Sequence, residues 1–576
     1  MSLREPQNNL HPYPAEQTRV IFTRGSDRQI GTQHAEQLGD LIQKGMAPFY
    51  HRFFRRVLRP EGLGLFETIG FQALSKIIDP YLVNKLVAQI PRKLGERIEG
   101  LAEASGIDKE TFLTTLILPD LLPMLQAHLI KIRPSRGVEV AAPPKFGCSS
   151  FVAKGAKFLH GRNLDFPGVA YWDRYQVLQV TEPENGLRFI GFTSAGVPIA
   201  GISGINEAQI SVSLHQHYCL QTDWKGSLPF VISEEILSQA DSLPKALEIL
   251  RSSKVASSWA FVVADGKKQD GFIYEAHPKR AGVRWLESEA GVLTHSNYFQ
   301  SEACLNQDYA TTERMNWDNF WRKKTLEKNV RNSLSCLTPE LAVSFMSDHT
   351  DGFWEEEKIV NRTVSQVYNI QSFVLDPVEM KLYLAEGNCP VHLRKYSEYS
   401  LGDLFNGKTS AVENKYSGYQ FKTSNNQMAK QEYILSFVSA FDNDFEKALA
   451  GLQKSLKWSF TPEAALVAAL VNLRLDGDVS RSLDLVREGE IEIEKKMKQK
   501  GKDHFPPEYF ELLLYEARIQ DLLGLSTEAQ ATYKRIQSHP SLRDKNIRAI
   551  AKKAIPYQKN RVKRLIMPYS TYIPFD

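Results

Sequence analysis

The hydrophobic pattern of the chain changes at Cys148, and this change limits the folds that the chain can adopt. Before it, segments such as 30–54 and 91–106 carry apolar residues three and four positions apart, the period of an amphipathic helix. The loop RGVEVAAPPKFG then breaks that period with two prolines and a glycine. From Cys148 to about residue 386 the chain consists mainly of short runs rich in β-branched and aromatic residues, which predict strands.

Short connections between these runs indicate how the strands pair. Several runs are separated by only a few turn residues, such as DGKKQD and EPENG. Connections this short suit antiparallel hairpins, because a parallel crossover needs a dozen or more residues. A few helical stretches lie between the runs, so we predict an α+β domain built on antiparallel sheet.

Composition shifts divide the chain further. A stretch rich in Ser, Asn, Gly and Lys at 397–430 predicts a polar linker, and the residues beyond it read as helical. Two helical pairs there turn at Gly477 and Gly524 and resemble tetratricopeptide-like hairpins, although an irregular helical bundle is an equal alternative. We therefore expect a helical segment at 1–147, the α+β domain at 148–396, the linker at 397–430 and a helical-repeat domain at 431–576.

Charge and hydropathy exclude several classes of function. The 576 residues include 71 basic and 67 acidic side chains, a balance that does not indicate a nucleic-acid partner. The first 25 residues lack an apolar core of signal-peptide length, and the most apolar later stretch, 112–130, is interrupted by Pro119, Asp120 and Pro123. We expect a soluble cytoplasmic protein without a membrane span.

The five cysteines show neither CxxC nor paired spacing, so the sequence predicts reduced thiols, with no disulfide framework and no structural zinc. His215 and His217 lie two apart and would share one face of a strand, as metal ligands often do. No further ligand has suitable spacing, so we expect neither a metal nor a cofactor. For His349, which follows Asp348, we expect a structural role.

One cysteine has neighbours that suit catalysis. A hairpin through Gly155 is expected to return the string LHGRNLDF to Cys148, which brings Arg162 and Asp165 close to its thiol. An arginine favours the thiolate, and a carboxylate can orient an amine. The alternative is that Cys148 is an ordinary buried cysteine and that its two neighbours form a salt bridge.

A set of ordered motifs gives this constellation a family context. The chain resembles the penicillin acyltransferase family of cysteine N-terminal nucleophile hydrolases, whose wider relatives include the choloylglycine hydrolases and the acid ceramidase group. The resemblance covers about residues 19–396 and implies an αββα four-layer sandwich. Its motifs are GCSSF at 147–151, HGRNLDF at 160–166, GINEAQISVSLH at 204–215, LTHSNYF at 293–299 and SDHTDGF at 347–353.

The resemblance also implies a precursor that cleaves itself between Gly147 and Cys148, leaving a helical N-terminal subunit associated with a larger one. Attack of the thiol on the Gly147 carbonyl requires a bent backbone, which glycine tolerates. The α-amine released on Cys148 has an ordinary pKa of about 7.7–8.0 and can serve as the base for its own thiol.

The family motifs assign roles to further residues. The resemblance implies that Asp165 holds the new amine, that Arg162 stabilises charge at the thiol, and that Asn297 donates to the oxyanion. Arg362 in VNRTVSQ matches an arginine associated with the family's site. His215 stands where relatives usually have an asparagine that serves as a second oxyanion donor, and a neutral histidine can also donate.

These inferences lead to a self-cleaving enzyme that forms an acyl-enzyme from a small-molecule acyl amide. Hydrolysis and acyl transfer share that intermediate, and the sequence favours hydrolysis weakly because water needs no acceptor pocket. The alternative is a catalytically degenerate hydrolase fold that acts as a scaffold and binds a protein partner through its helical tail.

Overall fold

The computed structural model describes residues 17–57, 80–132 and 147–558, without 167, 169, 287–290, 310–311, 410 and 443, and with residue 562. Most of the loop that precedes Cys148 lies outside these residues. The strands are β1 Arg19–Gly25, β2 Gly147–Lys154, β3 Phe158–Asp165, β4 Gln176–Pro183, β5 Phe189–Ser194, β6 Ser203–Asn206, β7 Ile210–Gln216, β8 Trp259–Asp265, β9 Asp270–His277, β10 Arg280–Trp285, β11 Val292–His295, β12 Thr350–Asp351, β13 Glu356–Glu357, β14 Asn369–Asp376, β15 Lys381–Glu386, β16 Lys395–Ser400 and β17 Ala411–Ser417.

In the described residues, four helices follow one another between β1 and β2, the next helices lie among the strands, and the last seven helices again follow one another. They are α1 Asp27–Val57, α2 Pro80–Val87, α3 Arg92–Ser105, α4 Lys109–Ile132, α5 Pro229–Gln239, α6 Leu243–Ser252, α7 Glu313–Asn332, α8 Pro339–Met346, α9 Leu401–Phe405, α10 Ser424–Phe441, α11 Phe445–Trp458, α12 Pro462–Arg474, α13 Val479–Lys500, α14 Pro507–Leu522, α15 Ser526–Ser538 and α16 Lys545–Lys553.

Among the described residues, the strands form two large sheets. The first sheet has the order β1-β4-β5-β6-β7-β8-β9-β10, and the second has the order β11-β2-β3-β14-β15-β16-β17. Neighbouring strands are antiparallel, apart from the parallel pair of β1 and β4. This agrees with the antiparallel sheets that the short connections predict.

The two sheets pack face to face. Ile190 and Phe192 of β5 share an apolar cluster with Phe373 and Leu375 of β14, and the rings of Phe192 and Phe373 are 4.9 Å apart. On the outer faces, α5 and α6 cover the first sheet while α7 and α8 cover the second. The result is the four-layer αββα arrangement that the family resemblance implies.

Strand β2 is buried on both faces, since the second sheet lies between the first sheet and helices α7 and α8. Phe151 packs in the cluster that includes Leu326 of α7, whereas Val152 packs in the cluster that includes Ala260 of β8. Side chains alternate along a strand, so Cys148 shares the face of Val152 and points toward the first sheet.

The segment before Cys148 is mostly helical, as predicted, but it also supplies a strand that the sequence analysis missed. Strand β1 adds to the edge of the first sheet beside β4. In β1, Ile21 is the buried apolar residue and the neighbouring positions are partly exposed. A short edge strand with a partner about 160 residues away gives little local signal, because its stability comes from tertiary pairing.

Buried polar contacts tie this segment to the rest of the protein. Arg97 of α3 bonds Asp27 of α1 and Glu234 of α5, both at 2.5 Å. The indole nitrogen of Trp259 on β8 donates to Asp120 of α4 at 3.0 Å. Breaking a buried ion pair leaves an uncompensated charge, so these contacts strongly favour a docked segment.

The structure differs from the predicted linker at 397–430. Its first part completes the second sheet as β16 and β17, and its last part begins α10. In the strand KYSEYS, Tyr396 and Tyr399 are buried, while Lys395 is exposed and Glu398 pairs with Lys381 and Lys415. Polar composition misled the prediction because strands at or next to a sheet edge, as β17 and β16 are, can keep polar side chains toward solvent.

Beyond the sheets, α10 to α16 pack consecutively, each against the next. Gly524, in the left-handed region at φ +76°, ends the turn between α14 and α15, and Gly477 precedes α13. The tetratricopeptide-like character of these hairpins stays a prediction. Within the described parts of the chain, no helix is long and apolar enough to cross a membrane.

The crossing of α1 and α3 depends on glycine. A Cβ atom added at Gly31 would lie 2.0 Å from the carbonyl oxygen of Arg97. We predict that Gly31→Ala lowers the free energy of unfolding by about 1–3 kcal/mol, because the helices must separate. Thermal unfolding of the purified protein measures this loss.

The matched control lies in the same helix. Gly39 has open space around its Cβ position, so Gly39→Ala should leave stability unchanged or raise it by up to about 1 kcal/mol. Equal effects of the two substitutions would contradict the close helix crossing.

Candidate active site around Cys148

The β2–β3 hairpin brings the predicted residues together. Gly147 pairs with Asp165, Cys148 pairs with Leu164, and Ser150 pairs with Arg162 across the two strands. The tight connection at 155–157 sets this register. The predicted proximity of Arg162 and Asp165 to Cys148 is therefore present in the structure.

Three separate side chains hold Cys148, and its own side chain is buried. Its backbone N–H donates to Oδ1 of Asn297 at 2.7 Å. Its thiol lies 3.8 Å from Nη2 of Arg162, and its backbone carbonyl accepts a hydrogen bond of 2.8 Å from Nη1 of Arg322. The nitrogen, the sulfur and the carbonyl oxygen of one residue are thus each matched to a polar partner.

Opposing effects act on the pKa of the Cys148 thiol. Burial raises the pKa of Cys148 above its usual value, and the negative charge of Asp165 raises it further. The guanidinium groups of Arg162 and Arg322 act in the opposite direction. In the uncleaved chain the net result is a neutral thiol that needs a proton acceptor before it can attack.

Asp165 lies directly beside the Gly147–Cys148 peptide bond. Burial raises the pKa of its carboxyl group to about 7, against the opposing effect of Arg322. Its Oδ1 accepts a hydrogen bond of 2.8 Å from Asn369, and its Oδ2 has no hydrogen-bond partner among the described residues. A carboxyl group with this pKa can exchange protons near neutral pH.

Gly147 is required for space rather than for an unusual backbone conformation. It lies in extended strand conformation, outside the left-handed region. A Cβ atom there would lie 3.2 Å from Cβ of Asp165 and 3.4 Å from the hydroxyl of Tyr368. The bent backbone that attack on the Gly147 carbonyl requires stays a prediction, and in this structure the close packing of Asp165 limits the space for a side chain at residue 147.

Arg162 is held rigidly between the two sheets. Its guanidinium donates to the hydroxyl of Ser203 and, at 2.8 Å, to the carbonyl of Leu214. Burial lowers its pKa, and the interaction with Cys148 raises it. Fixed bonds to the first sheet leave Nη2 facing the sulfur, which suits stabilisation of a thiolate.

Asn297 occupies a different position from the one that an oxyanion donor needs in the uncleaved chain. Its Oδ1 accepts from the Cys148 N–H, and its Nδ2 donates to the carbonyl of Gln216 at 2.9 Å. The oxygen of this amide, not its nitrogen, therefore faces Cys148.

His215 lies in a polar layer between the two sheets. Its Nε2 bonds the hydroxyl of Ser150 at 2.6 Å, and its Nδ1 has no hydrogen-bond partner among the described residues. Burial and then the charge of Arg162 lower the pKa of His215 well below its usual value, so the ring is neutral. Its role as a second oxyanion donor stays a prediction.

Arg362 lies away from the thiol. Its guanidinium bonds Asp351 at 2.8 Å and Glu508 of α14 at 2.5 Å. The match to a family site arginine does not place it at Cys148, since it forms the junction between the catalytic domain and the helical tail.

The sequence analysis missed Arg322 of α7. This buried guanidinium bonds the Cys148 carbonyl, the hydroxyl of Ser149 at 2.9 Å and Oδ1 of Asn297 at 3.1 Å. In the sequence, Asp318 and Arg322 form an ordinary i, i+4 pair of the kind that covers solvated helices. A weak signal was the spacing of Arg314, Asp318 and Arg322, which places three charges on one helix face.

The two other histidines that the sequence singled out have structural contacts. His217 bonds His295 through their Nε2 atoms at 2.8 Å, and His349 bonds the hydroxyl of Ser365 at 2.8 Å. Across the described residues, no group of three or more His, Cys, Asp or Glu side chains is arranged to hold a metal ion.

Comparison with known proteins places this geometry in a family. Residues 152–389 match the model of the family described as Acyl-coenzyme A:6-aminopenicillanic acid acyl-transferase. The match covers less than half of the chain and makes this region similar to that family. It begins four residues after Cys148 and contains Arg162, Asp165, Asn297 and Arg322. The αββα sandwich of the chain is accordingly the fold of N-terminal nucleophile hydrolases.

Two curated proteins are also similar to this chain. Acid ceramidase from Rattus norvegicus is 21% identical over 289 residues, which is 44% of this chain and 64% of that protein. An uncharacterized protein from Archaeoglobus fulgidus is 21% identical over 264 residues, which is 40% of this chain and 43% of that protein. The match thus spans less than two thirds of each relative. Together with the family, these similarities indicate hydrolase or acyltransferase chemistry at a coarse level.

The raised pKa of Asp165 predicts a pH dependence of stability. The folded protein holds this proton up to about pH 7, whereas an unfolded chain releases it near pH 4, so folding is favoured at low pH and loses stability between these values. In a Cys148→Ala background, which lacks the thiol, Asp165→Asn should remove up to about 4 kcal/mol of this loss of stability. Chemical denaturation at several values from about pH 4 to about pH 8 measures how steeply the free energy of unfolding falls with pH.

Asp120 provides the comparison, since burial also raises its pKa to about 7 and it bonds a different set of residues, Ser257 and Trp259. Asp120→Asn should flatten the slope to a similar degree. A slope that is unchanged by Asp165→Asn but reduced by Asp120→Asn would contradict the protonated state of Asp165.

Proposed function

We propose that the chain is a cysteine N-terminal nucleophile amidohydrolase that matures by cleaving its own Gly147–Cys148 bond. The observation that carries the proposal is the bond between the Cys148 backbone N–H and Oδ1 of Asn297, which lies 149 residues away in the chain. A side-chain acceptor aimed at one backbone nitrogen is expected where that nitrogen becomes a functional amine.

In the proposed maturation, the thiol of Cys148 transfers its proton to the carboxylate of Asp165 and attacks the carbonyl carbon of Gly147. The C–N bond breaks, the Cys148 nitrogen leaves and takes up a proton, and the Gly147 acyl group stays on sulfur as a thioester. Water then hydrolyses the thioester, releasing a Gly147 carboxylate and a free thiol. The pKa of about 7 at Asp165 and its position beside Gly147 support this role.

In the mature enzyme, the α-amine of Cys148 accepts the thiol proton, and the thiolate attacks the carbonyl carbon of the substrate carboxamide. The substrate C–N bond then breaks, the protonated α-amine gives its proton to the leaving amine, and the acyl group stays on sulfur as a thioester. Asn297 holds the amine through Oδ1, which differs from the oxyanion role that the resemblance implies. Arg162 stabilises the thiolate, and Arg322 fixes the Cys148 carbonyl. Water completes the cycle by hydrolysing the acyl-enzyme.

The substrate class that we propose is an N-acyl amide. The similar family is described as an acyl-transferase, and the acyl-enzyme on Cys148 accommodates either hydrolysis or transfer to an amine. We favour hydrolysis because water requires no acceptor site. The competing proposal is a degenerate fold that serves as a scaffold for a partner of the helical tail, and complete burial of the Cys148 thiol in the uncleaved chain is compatible with it.

Self-cleavage is tested on a denaturing gel. The wild-type chain should yield a fragment that begins CSSFV, whereas Cys148→Ala should remain one band because no thiol attacks Gly147. An electrophilic thiol probe should label the larger fragment at Cys148. On native size exclusion the fragments should elute together, because β1 and Arg97 hold the N-terminal segment in place.

Cys389 is the matched control, because it is also buried and burial also raises its pKa. Cys389→Ala should cleave and label normally. A wild-type chain that neither splits nor reacts with the probe would favour the scaffold proposal.

Two substitutions separate the possible roles of Asn297. Loss of the side chain in Asn297→Ala should lower kcat for an N-acyl amide about 10²-fold or more. Asn297→Asp keeps an oxygen acceptor for the amine but removes the Nδ2 donor, so it should retain more activity than Asn297→Ala. The kcat of each variant is measured on protein that has been cleaved and purified. Equal losses of kcat in the two variants would instead support the oxyanion role.

A further inference from the structure

The helical tail contacts the same helix that supplies Arg322 to the site. On α7, Arg314 bonds Glu511 of α14 at 2.5 Å, and both side chains are buried. At the start of the helix, the backbone N–H of Glu313 donates to Asp544, which caps α16, at 2.9 Å. Two tail helices therefore hold the N-terminal half of α7.

A second connection runs through Arg362. Glu508 of α14 bonds Nη1 of Arg362 at 2.5 Å, and Asp351 holds the other side of the guanidinium. Lys358 also lies in this buried cluster, where it bonds Glu463 of α12. Arg362 itself has a left-handed backbone, φ +48°, which persists only where surrounding contacts fix it.

This backbone conformation directs Arg362 toward the catalytic helix. The N–H of Arg362 donates to Oδ1 of Asp318 at 3.0 Å, and Oδ2 of Asp318 bonds Nε of Arg322 at 2.9 Å. Arg322 in turn donates to the Cys148 carbonyl. A continuous series of buried contacts thus joins Glu508 in the tail to the nucleophile.

We propose that Glu508 is a positioning residue, which holds Arg322 against Cys148 through Arg362 and Asp318 and makes the helical tail part of the catalytic unit. The effect on catalysis rests on the proposed function, whereas the mechanical coupling from the tail to α7 does not. Glu511 and Asp544 support the same position by holding α7 itself.

Cys148 reports on this coupling through its ionisation. Three charged groups face it, namely Arg162 and Asp165 from β3 and Arg322 from α7, and the α-amine joins them after cleavage. Arg322 lowers the pKa of the thiol, so its displacement should raise that pKa. A change confined to general stability would not shift this ionisation.

The test compares two glutamates on one helix. Glu508→Gln removes the charge that faces Arg362, whereas Glu516→Gln removes a buried charge of α14 that pairs with Arg487 inside the tail. Iodoacetamide alkylation of Cys148 is followed by mass spectrometry from about pH 6 to about pH 9. Glu508→Gln should slow alkylation at neutral pH about tenfold and move its midpoint to higher pH, while Glu516→Gln should match the wild type.

Hydrogen exchange of α7 provides a readout that does not need a reactive thiol. The rate of backbone amide hydrogen exchange around Arg322 should rise in the Glu508→Gln variant but not in the Glu516→Gln variant. Should Glu508→Gln fail to fold, Glu508→Asp keeps the charge and withdraws it by one methylene, and it should change both readouts in the same direction.

The outcomes separate this proposal from the proposed function. A wild-type thiol that reacts normally, together with a Glu508 variant that matches it in both readouts, overturns the coupling and leaves the enzyme intact. A wild-type chain without cleavage or alkylation overturns the enzyme, and hydrogen exchange then decides the coupling alone. Equal effects of the Glu508 and Glu516 substitutions also overturn the coupling.

Discussion

The site depends on hydrogen bonds to the backbone N–H and C=O groups of one buried residue, Cys148. Cys148 lies in a strand that is covered on both faces, so its N–H and C=O must find partners within the protein. An unpaired buried polar group costs about 1–3 kcal/mol, and a buried guanidinium or carboxylate costs more. Asn297 and Arg322 satisfy the two backbone groups, and each of these needs partners of its own, which extends the network outward.

That extension explains why the four layers and the tail form one structure. Arg322 requires Asp318, whose other oxygen accepts from the backbone of Arg362, and Arg362 is matched by Asp351 and Glu508. Buried charges of this kind add little net stability over apolar packing, but breaking them is costly. Their effect is to fix one arrangement of helix, sheet and tail around the nucleophile.

The sequence predicted the part of the site that is local. Arg162 and Asp165 follow Cys148 within one hairpin, and the period of two in a strand places them near it once the turn is recognised. Asn297 was found through the motif LTHSNYF, although the contact of its oxygen with the Cys148 N–H was not. Arg322 was missed because an arginine four residues after an aspartate is typical of an exposed helix, and only packing shows that this face is buried.

The sequence by itself determined the change from helices to antiparallel strands at Cys148 and the hairpin that carries the central residues, because these follow from side-chain period and short connections. The αββα class came from the resemblance of the ordered motifs to a known family. Tertiary structure alone decided the edge strand β1, the continuation of the sheet through residues 395–417, the distance of Arg362 from the thiol and the position of Arg322. Each of these depends on burial and charge pairing between segments that are far apart in the chain. Such pairings leave no periodic pattern along either segment, so no local reading of the residues reveals them.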